Sequence, residues 1–225
     1  MIVELFTEPK ARRPFVKAFR PATRTDRNGS ATTTPGEERI VLCGVNWKQY
    51  ERLDNELGHD RPSPRLYWFD GQLEVMTTSL KHEQLKESLG ALIEDYLLDV
   101  GIEAFPHGQA TLKVLEEAGA EPDKSWCFEQ EKEFPDLVLE VALSSGGIPK
   151  LDIYQRFGVP EVWLWRKDAL EIWTLRSDKS GYAGPSRQSR LLRGLDVSLL
   201  ERCLARPTWR GARSAFRQAL RRRSR

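Results

Sequence analysis

Cysteine is scarce in this chain. There are three in 225 residues, Cys43, Cys127 and Cys203, odd in number and far apart. With no CxxC pair among them, neither a zinc site nor a disulfide framework is expected, and a reducing, cytoplasmic setting is the default reading. Long hydrophobic runs are missing too. No apolar stretch approaches the roughly 20 residues a membrane helix needs, so no spanning segment is expected. The first residues hold Glu4 and early Pro and Arg but no apolar h-region, which argues against a secretory signal. Net charge is nearly absent, at +2. Apolar and aromatic material is plentiful: 40% of residues are hydrophobic, with seven Trp and nine Phe. That is enough for a core and excludes a wholly disordered chain.

The small net charge hides a segregated pattern. Residues 1–30 carry seven Lys/Arg against three Asp/Glu, residues 31–186 carry 16 against 28, and residues 187–225 carry 12 against two. The net charges are +4, −12 and +10: an acidic middle between basic ends, which hints at an anionic partner.

Length favours one domain with tails. Residues 1–36 read as a disordered basic tail, since the stretch from Arg20 to Gly36 is rich in Thr, Arg, Pro and Gly without periodicity. The domain spans 37–205, and 206–225 is an Arg-rich tail, a basic helix or a frayed end. Within the domain, Asn46 caps a helix through Leu57. Leu66 to Phe69 and Leu73 to Met76 form a hairpin across Asp70-Gly71. A long helix runs from Leu80 to Val100 and stops at Gly101. Its apolar stripe is Leu85, Leu89, Leu92, Ile93, Tyr96 and Leu97, and His82 extends it by three residues.

Strands follow over Ala110 to Leu115, Ser125 to Glu129 and Asp136 to Leu143, the last apolar enough to be central. Pro149 to Phe157 is a short helix with Pro149 at its first position and Gly158 just past its end. Glu161 to Arg166 and Leu170 to Leu175 pair across Lys167-Asp168, and Leu191 to Leu204 closes the domain. Trp163, Trp165 and Trp173 read as packing. The mixture indicates an α/β or α+β sheet domain.

The central strand carries the chemistry. Asp136 and Glu140 share a face with Val138 and Ala142. They stand about 13 Å apart, so they cannot grip one ion together. A buried carboxylate needs a partner or a metal. Asp123, opening the preceding strand, is the natural second ligand for Glu140, with Asp136 as the fallback. Lys150 begins the next helix after the loop Leu143-Ser144-Ser145-Gly146-Gly147 and could fold its ammonium back over the strand. Two carboxylates suit Mg²⁺ or Mn²⁺. Such an ion polarises a phosphodiester and acidifies a bound water, while a lysine neutralises charge at phosphorus. The plainer readings are also open. Asp136 and Asp123 could be turn or strand-start residues, Glu140 could pair with Lys150, His82 could be a core histidine, and Glu83 and Glu87 could be a solvated face.

These residues also carry a family pattern. The stretch PDLVLEVALSSGGIPKLDIYQRFGVPEVWLW, residues 135–165, resembles the Uma-two family of restriction endonuclease-like proteins. LYWFDGQLEVM, His82-Glu83, GQATLKV, AEPDKSWCF and LDVSLLERCL agree with it, so the resemblance covers roughly 38–205. It implies the PD-(D/E)XK nuclease superfamily, with a restriction endonuclease-like α/β core: a central mixed sheet flanked by helices. It implies Asp123 as the PD aspartate, Glu140 as the acidic position, and His82 as a further site residue. The superfamily lysine usually sits two residues after that acid, where this chain has Ala142. The resemblance implies a migrated lysine at Lys150.

The leading expectation is therefore a Mg²⁺- or Mn²⁺-dependent DNA endonuclease. Asp123 and Glu140 would bind metal, Lys150 would assist at the phosphate, and His82 would orient a water or phosphate. DNA is the expected partner, and a homodimer would suit cutting two strands. The alternatives are a nucleic-acid-binding protein without catalysis, suggested by the +10 end, and a mobile-element or toxin accessory protein whose carboxylates are structural.

Overall fold

Asn46 starts the first helix with a reciprocal cap. Its Oδ1 accepts from the Gln49 N–H at 3.0 Å, and Gln49 Oε1 accepts from the Asn46 N–H at 2.9 Å, which satisfies two donors at the helix start. The helix α1 then runs Trp47–Leu57. The computed structural model describes residues 15–19, 37–58, 61–143 and 147–223. Most of the expected tail, 1–14 and 20–36, lies outside the described residues, as does 144–146 of the loop before Lys150. The described chain divides into two compact units.

The first unit draws on residues 1–80, 110–121 and 144–157. It holds β1 (Phe15–Phe19), β2 (Glu38–Cys43), β3 (Arg65–Phe69), β4 (Gln72–Thr77), β6 (Leu112–Val114) and β7 (Ala118–Ala120). They form one antiparallel sheet in the order β1-β2-β4-β3-β7-β6. The β3–β4 hairpin turns at Asp70 and Gly71, with φ of 46° and 70°, as a two-residue turn with both centres left-handed requires. The unit's core gathers Leu42, Val45, Trp47, Tyr50, Leu53, Leu66, Trp68 and Leu73. The helix α3 (Lys150–Arg156) also belongs here. Pro149 stands just before it with an extended ψ of 95°, so it caps the helix rather than opening it.

The second unit holds residues 81–109, 122–143 and 158–225. Its strands are β5 (Ala104–Pro106), β8 (Lys124–Phe128), β9 (Leu137–Ala142), β10 (Glu161–Arg166), β11 (Ala169–Leu175) and β12 (Tyr182–Ser186). Their order is β12-β11-β10-β9-β8-β5. β9 and β10 run parallel and the other pairs antiparallel, so this sheet is mixed. The long helix α2 (Leu80–Val100) supplies Leu89, Leu92, Ile93 and Tyr96 to the unit's core. They join Leu137, Leu139 and Val141 of β9, Trp163 and Trp165 of β10, and residues of α4 (Val197–Leu204) and α5 (Trp209–Arg223).

The α/β fold is as expected, but its strands divide between two six-stranded sheets instead of one central sheet. β1, β5, β7 and β12 were not legible. β1 lies inside the expected tail, where it pairs residue by residue with β2. β7 is Ala-Gly-Ala, small because Tyr50 lies against it: a Cβ on Gly119 would overlap the Tyr50 hydroxyl. The Arg-rich end is a helix, α5, with Ala212, Phe216 and Leu220 buried.

Closure of the second unit includes a titratable clasp. Arg187 grips Glu201 through both terminal nitrogens at 2.5 Å, and Glu201 Oε1 also accepts from the Leu170 N–H at 2.9 Å. The Arg187 hydrogen bond holds the Glu201 carboxyl below its usual range. Its stabilising contribution is therefore complete above the unfolded carboxylate value of about 4.3 and is lost as pH falls through the lower folded value. Glu201→Gln should melt earlier than wild type at pH 7, with the gap closing towards pH 3. A gap that stays constant across that range would disprove the assignment.

Candidate active site

The antiparallel β8–β9 register pairs Lys124 with Leu139. Carried one residue further, it sets Asp123 opposite Glu140. Residues directly opposite in such a pair have Cβ atoms about 5 Å apart and share a face. Both carboxylates are buried. Asp123 Oδ2 accepts from the Val141 N–H at 2.7 Å, on the residue after Glu140.

His82 completes this corner. It is the third residue of α2 and fully buried. Its Nε2 lies 3.2 Å from Asp123 Oδ2 and 3.0 Å from the Val141 carbonyl oxygen. A ring nitrogen facing two acceptors must carry its proton, which assigns the tautomer from the geometry. His82 thus ties the Asp123 carboxylate to the backbone of β9. Its Nδ1 lies 3.5 Å from Glu83 Oε1. The core-histidine and site-histidine readings converge here, since the ring is buried and still touches the aspartate.

Lys150 lies in the first unit. Its Nζ is 3.5 Å from Glu74 Oε1 and sits over the Tyr67 ring. Glu74 is fully buried. Its Oε2 accepts from the Ile148 N–H at 2.8 Å, and its Oε1 lies 3.3 Å from Arg39 Nε. Arg39 in turn pairs with Glu37 at 2.7 Å. Glu37, Arg39, Glu74 and Lys150 together balance two negative and two positive charges, the condition for burying them. Gly147, at φ 97°, closes this cluster, because a Cβ there would overlap Glu74 and Arg39.

The fallback aspartate is otherwise engaged. Asp136 Oδ2 accepts from the Phe128 N–H at 2.8 Å and from Lys132 Nζ at 2.7 Å, which closes the loop between β8 and β9. Of the residues singled out from sequence, the second unit thus holds Asp123, His82 and Glu140 at one sheet corner. Lys150 is placed in the other unit.

Two neighbours were missed. Lys124 follows Asp123 and reaches Glu87 Oε2 at 2.9 Å. Its stem lies so close to α2 that a Cβ on Gly90 would come within 2.5 Å of it. Lys86, one turn after His82, is buried against Glu83 and lies 3.5 Å from Glu87. Glu74 was also missed. The signal for it was the β4 alternation, which sets Glu74 on the same face as the buried Met76.

Among the described residues, no three His, Cys, Asp or Glu side chains are grouped to hold a metal ion. Two facing carboxylates nevertheless fit Mg²⁺, which is usually held by one or two carboxylates with waters and substrate phosphates completing the shell.

The Uma2 family model, described as "Putative restriction endonuclease", matches residues 47–208. Among solved structures, the chain is similar to one from Anabaena variabilis described as "a putative nuclease belonging to DUF820". That likeness has a TM-score of 0.46 at 11% identity and covers 76% of this chain and 99% of the other. Among curated proteins there is no match.

Proposed function

The chain belongs to the Uma2 family, and from that premise we propose that it is a metal-dependent DNA endonuclease with Asp123 and Glu140 as its metal ligands. The observation that carries this reading is the β8–β9 register, which puts two buried carboxylates opposite each other. Mg²⁺ or Mn²⁺ is the group such hard oxygen donors suit. When bound, the cation supplies charge neutralisation at the phosphodiester and a water of lowered pKa.

The chain's own residues do the positioning. The Val141 N–H donates to Asp123 Oδ2, and His82 Nε2, bonded to the Val141 carbonyl, lies 3.2 Å from the same carboxylate oxygen. This holds the carboxylate plane, and Asp123 and Glu140 would be the residues that hold the cation. His82 is therefore a positioning residue. Lys150, the lysine of the family pattern, balances the buried Glu74 within the first unit.

Supercoiled plasmid tests the reading. The purified chain should nick it in Mg²⁺ or Mn²⁺ and leave it intact in EDTA. No nicking in either metal, or equal nicking in EDTA, would sink the proposal.

A further inference from the structure

The helix α5 begins at residue 209, one residue beyond the family match, so its role is a property of this chain. It carries six arginines and no acidic residue. Its apolar face is occupied, since Ala212, Phe216 and Leu220 are buried, the last two in the second unit's core. Arg213 locks its rotation by donating to both Asp95 oxygens, at 2.9 and 2.6 Å. At 100° per residue, Arg210, Arg213, Arg217 and Arg221 fall within an arc of about 80°, and they extend over about 16 Å. Arg210, Arg217 and Arg221 are exposed, although Arg217 lies 3.9 Å from Asp95.

At the start of this stripe stands Trp209, 53% exposed, with the Arg213 guanidinium 4.8 Å from its ring centroid. Trp209, Arg206 and Pro207 form one wall of a groove of about 500 Å³, and Glu83, Gln84, Glu87 and Ser88 of α2 form the other. Lys86 lies against Glu83 and Glu87, and Lys124 against Glu87, so the acidic wall is matched by cations. Glu83 is also the neighbour of His82, which touches Asp123. The groove wall and the candidate site thus adjoin through Glu83 and His82, within one unit.

Resting on the nuclease reading, we propose that α5 and Trp209 are a DNA-holding surface. Arg206, Arg210, Arg217 and Arg221 would take the phosphates of a DNA strand, and an unpaired base would stack on Trp209. A rigid row of guanidiniums releases counterions from a polyanion, and an exposed indole beside it is a sequence-tolerant stacking platform. A membrane surface fits less well. A basic helix that lies in a membrane does so through its apolar face, and here that face is buried in protein.

The test uses the full chain in EDTA, where cleavage does not intervene. Fluorescence anisotropy with an overhang-bearing DNA duplex over a NaCl series should give a steep salt slope. In R206Q/R210Q/R221Q, the slope of log affinity against log salt should drop by about 2.7, or 0.9 for each arginine lost. These three side chains are exposed, and a melting curve coincident with wild type confirms that the variant folds. W209A should keep the slope but bind the overhang at least about fivefold more weakly, with no change on a blunt duplex.

An unchanged slope in the triple variant would overturn the proposal. So would tighter binding to RNA of the same sequence, or equally tight, arginine-dependent binding to phosphatidylglycerol vesicles. Binding and nicking separate the two readings. A chain that nicks plasmid but keeps its slope in the triple variant loses this surface and retains the nuclease. One that binds through α5 and never nicks loses the nuclease alone.

Discussion

Glu140→Ala is expected to lower metal-dependent DNA cleavage by at least roughly 10²- to 10³-fold, the scale of removing one preorganised electrostatic group from a reaction centre. Glu140 is the more direct probe of the two carboxylates. Asp123 also anchors the Val141 N–H and His82, so truncating it would disturb the corner as well as remove a ligand. Glu140→Gln keeps the side-chain volume and removes the charge, and it should be as inactive as the alanine variant. A measurement other than activity applies as well. Mg²⁺ bound only by the folded state raises its melting temperature, so wild type should melt later in Mg²⁺ than in EDTA and Glu140→Gln should show no such difference. Cleavage by Glu140→Ala at the wild-type rate would remove Glu140 from the site.

Phe216→Ala should destabilise the protein by about 3–5 kcal/mol, the usual cost of emptying a fully buried aromatic site. Phe216 is completely buried and belongs to the same core cluster as Tyr96, Leu137, Trp163 and Leu200. Against a total stability on the order of 5–15 kcal/mol, that loss is a large fraction. It should appear as a fall in the urea midpoint with an unchanged slope. A change under about 1 kcal/mol would mean that α5 is an appended tail. The outcome also bears on the basic stripe, because a helix that is part of the core presents its arginines in a fixed row.

Where local chemistry decided an element, the sequence was readable. The Asn46 cap, the Asp70-Gly71 and Lys167-Asp168 turns, and the span of α2 up to Gly101 all follow from residues within a few positions of one another. β7 was not readable, because its Ala-Gly-Ala is shaped by Tyr50, some 70 positions away in the chain. The arginine run at the end advertised its charge, while its spaced Ala212, Phe216 and Leu220 were a weaker signal of packing. Asp123 and Glu140 stood out as carboxylates on neighbouring apolar strands. Their alignment depends on the β8–β9 register, which no spacing within either strand specifies.

The sequence by itself determined the α/β character, the hairpin turns, the long helix and the family pattern, because each depends on short-range periodicity or on a contiguous motif. Only the tertiary structure decided that the strands form two sheets and that Lys150 sits with Glu74. It also decided that His82 lies against Asp123 and that the basic end is anchored to the core. Those outcomes join residues tens of positions apart, and they are set by which buried charges can be balanced and which apolar faces can be covered.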